Sequence, residues 1–333
     1  MAKRMDVGRS GWRTNAKHNM LNQLIGQEVG ASPRLPKAPR RLVWFDLTAG
    51  DAAVPGDEEW RRACSPGILA YHASKSQLPV VVNLYEINPE TFARLMANLA
   101  AKLPEFGYER EAVDRWRCGR SVLQVFNQSG VDADISEVRS FDAVFVINDP
   151  NSITEWAMRM SFSSEISARH VTFFRSLTTM GCNASGLKRN KETRRTRIEC
   201  VDRVGAFQRS VPRFRDLCFA AIVRDDAQWA YLIETSDKWR EKTEQLVKGA
   251  FKKYDRGTSI SWYRTAAGQF RGDMLRLFLT KAEREGIRGQ EDRWLTAPLA
   301  ERIEMIGAFE DAPAPEAPVQ MGLWSTDVEE TPA

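Results

Sequence analysis

From residue 42 onward, short apolar runs alternate with stretches in which apolar and polar residues repeat at helical spacing. The apolar runs are rich in β-branched and aromatic residues, a composition typical of strands that are buried on both faces of a parallel sheet. We therefore predict strands over residues 42–47 (LVWFDL), 80–87 (VVVNLYEI), 121–126 (SVLQVF), 143–148 (AVFVIN) and 170–175 (HVTFFR).

Two stretches between these runs have the pattern of amphipathic helices. Residues 89–102 open with Pro89, which suits a first helical turn, and repeat apolar residues along one face. In residues 152–166, Ser152 stands three positions before Glu155, the spacing of a capping box. The alternation of strand and helix predicts an α/β protein with a doubly wound, Rossmann-like sheet.

The pattern changes in residues 217–235 (LCFAAIVRDDAQWAYLIET), where two apolar runs flank a short polar turn at 224–228. This pattern predicts a β-hairpin, whose strands are antiparallel. A five-stranded parallel sheet that ends in a hairpin is the layout of class I methyltransferases, whereas dehydrogenase Rossmann domains have six parallel strands.

Four segments of different composition divide the chain. Residues 1–40 are basic, with a short helix predicted around 18–27 and a proline-containing linker after it. Residues 41–236 form the predicted methyltransferase-like domain, and residues 237–309 are a predicted helical extension. Residues 310–333 are acidic and rich in proline, which predicts a disordered tail.

Composition narrows the class of protein further. The chain has five cysteines without a CxxC pair and three histidines, which argues against a metal site or a disulfide framework. No apolar run reaches the ~20 residues that a membrane span requires. The basic start lacks the apolar stretch of a secretion signal. We expect a soluble cytoplasmic protein that does not bind a membrane.

Polar residues follow the predicted strands at their carboxyl ends, where a doubly wound sheet binds its ligand. The first strand reaches Asp46, followed by Thr48 and Gly50; a carboxylate there can face a ligand ammonium, and glycine allows close backbone approach. The second strand reaches Glu86, and an acid at this position accepts hydrogen bonds from two vicinal ribose hydroxyls.

The third and fourth strands end on amides. Asn127 follows the third strand and is a candidate to pair with an adenine edge. Asn148 ends the fourth strand, and the residues that follow it are the candidates for chemistry: Asp149, Pro150 and Asn151. Each acid alone is equally compatible with capping the next helix; the agreement of four strand ends favours a nucleoside-like ligand.

Other nucleotide ligands fit the first turn less well. A phosphate-binding P-loop requires GxxxxGK[ST], and Gly56 is followed by Asp57. A dinucleotide site requires GxGxxG, but Ala52 occupies the second glycine position. These comparisons favour S-adenosylmethionine over NAD as the cofactor.

The stretch FDLTAGD…CSPGILAY…LYEINPETFARL, together with Lys17, His18 and Leu21, resembles the three-Cys-motif partner family over roughly residues 12–235. The resemblance implies a class I S-adenosylmethionine-dependent methyltransferase, encoded in phage or mobile DNA beside a protein partner of the radical-S-adenosylmethionine type. The chain departs from that family at Thr48 and Ala52. Its DPNS sequence at 149–152 keeps only the first two residues of the DPPY turn of amino-methyltransferases.

The ends of the predicted strands together predict cofactor binding by Asp46, Thr48, Gly50, Glu86, Asn127 and Asn148, and the resemblance adds a mechanism of direct methyl transfer. In this mechanism Asp149 and the carbonyl of Pro150 accept the hydrogens of an exocyclic amine, and Trp156 or Phe162 stacks on the base.

A basic run in GLKRNKETRRTR, between the fifth strand and the hairpin, is either a solvated loop or a surface that contacts nucleic-acid phosphates. Its cations are Lys188, Arg189, Lys191, Arg194, Arg195 and Arg197. A duplex base would have to be flipped into the site, with Trp262 and Tyr263 as aromatic neighbours.

Four functions remain compatible with the sequence. The first is a methyltransferase that modifies a nitrogen of a DNA or RNA base. The second is a catalytically degenerate module of the same fold that binds nucleic acid or a protein partner. A methyltransferase acting on a small molecule or a protein, and an NAD enzyme, are the others.

Overall fold

The strands give the protein its frame. In a computed structural model, the described residues are 11–54, 59–149, 165–166, 174–180, 198–199, 201–202, 215–223, 228–236, 239–251, 258–264, 275 and 278–307. The strands are β1 (Arg41–Asp46), β2 (Val80–Tyr85), β3 (Glu109–Ala112), β4 (Arg115–Cys118), β5 (Ser121–Phe126), β6 (Asp142–Asn148), β7 (Phe174–Met180), β8 (Arg215–Val223), β9 (Gln228–Ser236) and β10 (Thr258–Arg264).

Within the described residues these strands form one sheet in the order β10-β8-β9-β7-β6-β1-β2-β5-β4-β3. The central strands β5, β2, β1, β6 and β7 are parallel, and β9 and β8 continue the sheet as an antiparallel hairpin beyond β7. The doubly wound sheet with a carboxyl-terminal hairpin, the layout of class I methyltransferases, is thereby confirmed.

Three features of the sheet differ from the sequence prediction. The fifth parallel strand is Phe174–Met180, which extends past the predicted end at 175; residues 170–173 of the predicted strand lie outside the described ranges. The hairpin of β3 and β4 was not predicted, because β3 is exposed at every residue and β4 buries only Trp116, so neither has an apolar run. Strand β10 lies inside the segment predicted to be helical and pairs with β8.

Helices pack around the sheet, and some of them begin at recognisable sequence signals. They are α1 (Gly11–Ala31), α2 (Trp60–Ala63), α3 (Ser65–Lys75), α4 (Pro89–Lys102) and α5 (Arg240–Phe251). The predicted helix with Pro89 is confirmed as α4: the Asn88 side chain caps it, because Oδ1 accepts the N–H groups of Glu90 and Thr91, each at 3.0 Å. None of the helices in the described ranges is long and apolar enough to cross a bilayer.

The chain divides into two compact units, Met1–Leu279 and Thr280–Ala333. The second contains α6 (Lys281–Gly286), α7 (Glu291–Thr296) and α8 (Leu299–Gly307). A capping box between Thr280 and Glu283 starts α6, and the buried Trp294 indole donates to the carbonyl of Arg302 at 3.0 Å. The predicted helix over 152–166, apart from residues 165–166, and the tail over 310–333 lie outside the described residues.

The two faces of β1 carry different parts of the core. Trp44 packs with Leu21 and Leu24 of α1 and with Leu69 of α3, whereas Phe45 packs on the opposite face. Both aromatic side chains are 1% exposed, so the strand is buried on both faces, as its unbroken apolar run indicated. Helix α1 therefore belongs to the core, and its amino-terminal half reaches the carboxyl edge of β1 and β6.

Candidate functional site

The first component of the site is Asp46, the last residue of β1. Its side chain is fully buried; Oδ1 accepts the backbone N–H of Thr48 at 3.2 Å, and Oδ2 has no hydrogen bond of normal geometry in the described residues. Burial raises the pKa of Asp46 to about 6; the Ser65 side chain and the Thr48 N–H partly oppose this rise. Because Asp46 is enclosed, its carboxylate is not exposed for direct contact with a ligand.

The turn after Asp46 has the backbone of a glycine-rich loop. Gly50 and Ala52 both have left-handed backbones, with φ of +66° and +53°, so alanine here adopts a conformation that glycine favours. The Trp60 indole donates to the carbonyl of Ala52 at 2.9 Å and fixes this conformation. A side chain at Gly50 would meet nothing within 4 Å, so this part of the loop faces open space.

The end of β6 lies next to the end of β1, at the point where the strand order reverses. The Thr48 hydroxyl accepts the backbone N–H of Asp149 at 3.0 Å, and the N–H of Leu47 donates to the carbonyl of Ile147 at 2.9 Å. Thr48 therefore joins the two strand ends at which a doubly wound sheet binds its ligand.

Helix α1 contributes a cation to this point. The ammonium of Lys17 forms an ion pair with Oδ2 of Asp149, and the two side chains are 19% and 22% exposed. The neighbouring His18 is 6% exposed, and burial lowers its pKa to about 3, so its imidazole is neutral at physiological pH. The site thus holds two acidic side chains, those of Asp46 and Asp149. The positive charge of Lys17 acts on both of them.

The ends of β2 and β5 form a second part of the same edge. Glu86 Oε1 accepts the backbone N–H of Asn88 at 2.8 Å, and the Asn127 amide donates to the carbonyl of Glu86 at 2.8 Å. Ile87 is 66% exposed and Val131 is 41% exposed. Such exposure is uncommon for isoleucine and valine, which are among the residues most often buried. An acid beside exposed apolar side chains suits a ribose and a purine ring.

Two glycines allow the loops around the site to pack closely. A Cβ at Gly67 would lie 2.2 Å from the carbonyl oxygen of Trp60, and one at Gly130 would lie 2.5 Å from that of Leu47. Gly130 therefore brings the loop after β5 against the loop after β1. The Cys64 side chain caps α3 by accepting the N–H of Gly67 at 3.3 Å, and burial raises the pKa of its thiol to about 12.

An open cleft of about 690 Å³ begins at Val131, next to Gly130. This volume is in the range of small-molecule sites. Three carboxylates line the cleft, those of Asp132, Asp134 and Glu165. Their charge would repel phosphates, so the cleft is unsuited to a nucleic-acid backbone. No group of three or more potential metal ligands occurs in the part of the chain that the structure describes.

The structure places the predicted site residues at one edge of the sheet, in two groups. Asp46, Thr48 and Asp149 lie together with Asn148, whose side chain is fully buried, and Glu86 lies with Asn127. Trp262 and Tyr263, the predicted aromatic neighbours of a flipped base, lie on β10. The other predicted residues lie outside the described ranges: Pro150, Asn151, Trp156, Phe162, Lys188, Arg189, Lys191, Arg194, Arg195 and Arg197.

Sequence reasoning gave no role to Lys17, Gly67 or Gly130. A signal for Lys17 does exist in the sequence, since it stands four residues before Leu21 and seven before Leu24. The three residues therefore share one helix face, which points toward the sheet.

Comparison with solved structures finds distant likenesses. Protein LPL1258 of Legionella pneumophila, from family DUF519, is 10% identical with a TM-score of 0.47, and the match covers 78% of this chain and 99% of that one. An rRNA methylase of Streptococcus thermophilus is 8% identical with a TM-score of 0.38, covering 65% and 94%. TrmN of Thermus thermophilus is 11% identical with a TM-score of 0.34, covering 66% and 48%.

Because these TM-scores are all below 0.5, the assignment of the fold class rests on the strand order of this chain. No family model matches the chain, and no curated protein matches it. The resemblance to the three-Cys-motif partner family therefore remains a prediction.

Proposed function

We propose that this protein is an S-adenosylmethionine-dependent methyltransferase that acts on a nitrogen of a nucleic-acid base. One observation carries the proposal: Thr48 joins the ends of β1 and β6 at the switch point, because its backbone N–H donates to the Asp46 carboxylate and its hydroxyl accepts the backbone N–H of Asp149. Ligands of doubly wound sheets bind there.

The residues at this edge fit the proposed cofactor. Glu86 would accept hydrogen bonds from the ribose hydroxyls of the bound cofactor, and the exposed Ile87 and Val131 would contact its purine. The loop at Gly50 faces open space and lets the ligand approach the backbone. The buried charge of Asp46 attracts a cationic ligand, at a distance set by its enclosure. Bound S-adenosylmethionine supplies an electrophilic methyl group on a positively charged sulfur.

Asp149 is the residue proposed to act on the substrate. Its carboxylate accepts an N–H of the substrate amine and turns the nitrogen lone pair out of conjugation with the ring. The contribution of the protein is therefore to hold the amine in line for transfer and to exclude water. Pro150 and Asn151, which follow it in the chain, remain proposed partners in this role.

The class of substrate is proposed from the sequence. The basic run from Lys188 to Arg197 is the proposed contact with nucleic-acid phosphates, because cations along a surface provide affinity that is independent of base sequence. From the resemblance to the three-Cys-motif partner family, we also propose a protein partner and an origin in phage or mobile DNA. A cytoplasmic location is a separate part of the proposal.

A catalytically degenerate module is the second candidate. The backbone of the first turn favours it, because Ala52 has a left-handed conformation, with φ of +53°, at a position where a glycine-rich loop has glycine. Such a module would bind nucleic acid or a protein partner and would not transfer a methyl group.

Transfer of radiolabelled methyl from S-adenosylmethionine to duplex DNA, single-stranded DNA, tRNA and rRNA tests the proposal. We expect labelling of one nucleic acid that Asp149→Ala abolishes while cofactor binding persists. Cofactor binding without labelling of any substrate would favour the degenerate module. Labelling that survives Asp149→Ala would remove Asp149 from the mechanism.

A further inference from the structure

Helix α1 carries a charged residue to the reaction centre from outside the α/β sheet. We propose that Lys17 is a positioning residue for methyl transfer, which holds the Asp149 carboxylate ionised and oriented toward the substrate amine. This inference rests on the proposed function and adds to it a residue 132 positions away in the chain.

The helix that carries Lys17 is firmly docked. Leu21 and Leu24, on the same helix face as Lys17, are at most 1% exposed in the main core. On the side toward α3, the His72 imidazole donates to the Asn22 side-chain oxygen at 2.9 Å. Gly26 permits this contact, since a Cβ there would lie 3.2 Å from the His72 ring. The position of the Lys17 ammonium is therefore set by the packing of α1.

The charges around Asp149 require a cation. Asp46 on β1 is a second, fully buried carboxylate; burial raises its pKa, the charge of Asp149 raises it further and Lys17 lowers it. His18 on α1 is neutral because burial lowers its pKa to about 3, and Cys64 at the start of α3 is a neutral thiol. Among the described groups that face Asp46 and Asp149, Lys17 supplies the compensating positive charge.

A second ion pair on β6 shows what a purely structural pair looks like in this fold. Asp142, at the opposite end of β6, accepts two N–H groups of Arg41 at 3.0 Å and the backbone N–H of Arg139 at 2.8 Å. Its side chain is fully enclosed, whereas that of Asp149 is 22% exposed. A substrate can therefore reach the Asp149 carboxylate but not the Asp142 carboxylate. Of the two ion pairs, the one with Lys17 is the pair that can influence a reaction.

The test compares Lys17→Met, Lys17→Arg and Arg41→Met in the full chain. The first readout needs no substrate: the ¹³C carboxyl resonance of Asp149, assigned with Asp149→Asn, is titrated in each protein. We expect the titration midpoint to rise in Lys17→Met and to stay near its wild-type value in Lys17→Arg and Arg41→Met. The rise follows because the variant loses a positive charge that favours the ionised form of Asp149, while the neighbouring carboxylate of Asp46 remains.

The second readout is methyl transfer to the nucleic acid that wild type labels. We expect kcat to fall about 100-fold in Lys17→Met, because displacing a catalytic group by a small distance typically lowers the rate by about this factor. KM and the Kd of S-adenosylhomocysteine should stay unchanged, and the acidic limb of the rate profile should move to higher pH. Lys17→Arg should recover most of kcat, and Arg41→Met should lower thermal stability without moving the pH profile.

An unmoved Asp149 midpoint in a folded Lys17→Met protein would overturn the inference and leave the methyltransferase proposal standing. Wild-type kcat and pH profile in Lys17→Met would overturn it in the same way. Absence of transfer by wild type with every nucleic acid would overturn the proposed function itself, and with it a catalytic role for Lys17.

Discussion

At the scale of single residues, the site is governed by buried charge. Asp46 is fully enclosed, and its pKa of about 6 lies above the ordinary 3.8 because burial disfavours the carboxylate. A difference of about two pKa units corresponds to about 3 kcal/mol between the protonation states. The folded protein therefore keeps this charge at a cost in stability, which is common at functional sites.

Replacing Asp46 by Asn should change how stability depends on pH. In wild type the folded carboxyl binds its proton more tightly than the unfolded one, so this residue favours folding below pH 4 and loses that contribution as pH rises through 6. The free energy of unfolding of Asp46→Asn, relative to wild type, should therefore increase by about 3 kcal/mol between pH 3.5 and 6.5. Urea unfolding at a series of pH values measures this difference.

Asp142→Asn is the matched control for that experiment. Asp142 is equally buried but paired with Arg41, so its replacement should lower the free energy of unfolding at pH 8 by about 2 kcal/mol. If the stability difference between Asp46→Asn and wild type is constant across pH, folding does not raise the pKa of Asp46.

Thr48 gives a second test at this scale. Thr48→Val keeps the shape of the side chain and removes the acceptor of the Asp149 N–H, which should cost about 1 kcal/mol in stability. Methyl transfer should fall with little change in cofactor Kd, because Asp149 loses its attachment to β1. Thr48→Ser keeps the hydroxyl and should behave like wild type; equal activity of the Val and Ser variants would contradict this role.

At the scale of elements, the sequence predicted those strands whose burial is continuous. Strands β1, β2, β5 and β6 lie within one or two residues of their predicted bounds, and the β8–β9 hairpin follows from two apolar runs around a polar turn. Strands β3 and β10 carry no such run. Their pairing depends on neighbouring strands that a local pattern does not contain.

The same limit applies to the site. The sequence predicts where the strands end, and it therefore identified three acids at or next to strand ends: Asp46, Glu86 and Asp149. Lys17 meets Asp149 only through the docking of α1 against the sheet. The closeness of the loops at Gly130 likewise depends on two segments far apart in the chain, and no local pattern reveals it.

Gly130 allows a prediction about how the loops support the site. In Gly130→Ala the new Cβ would lie 2.5 Å from the Leu47 carbonyl oxygen, so the loops after β1 and β5 must separate. We expect a loss of about 2 kcal/mol in stability and cofactor binding weakened by about tenfold or more. Chemical unfolding and calorimetric titration measure the two effects.

Gly30→Ala is the control, because Gly30 lies in α1 and a Cβ there would meet nothing within 4 Å. It should raise stability by about 0.5 kcal/mol and leave cofactor binding unchanged. Wild-type binding by Gly130→Ala would show that the loop contact does not shape the site.

At the scale of the whole molecule, the proposed functional residues that the structure describes belong to one of its two compact units. Lys17, Asp46, Glu86 and Asp149 all lie in Met1–Leu279. We expect a chain that ends at Leu279 to fold and to bind S-adenosylmethionine with the Kd of the full chain. Calorimetry on both chains checks this, and a folded shorter chain that fails to bind would show that Thr280–Ala333 takes part in the site.

The central claim is that the carboxyl edge of β1, β2 and β6 binds S-adenosylmethionine, and calorimetric titration of the full chain with this compound tests it most directly. We predict one site per chain, with binding weakened about 30-fold or more in Glu86→Ala, because charged hydrogen bonds to the ribose are lost. Glu109→Ala, which removes an exposed acid on β3, should bind like wild type. Absence of heat and of any thermal shift with wild type, or an unchanged Kd in Glu86→Ala, would contradict the account.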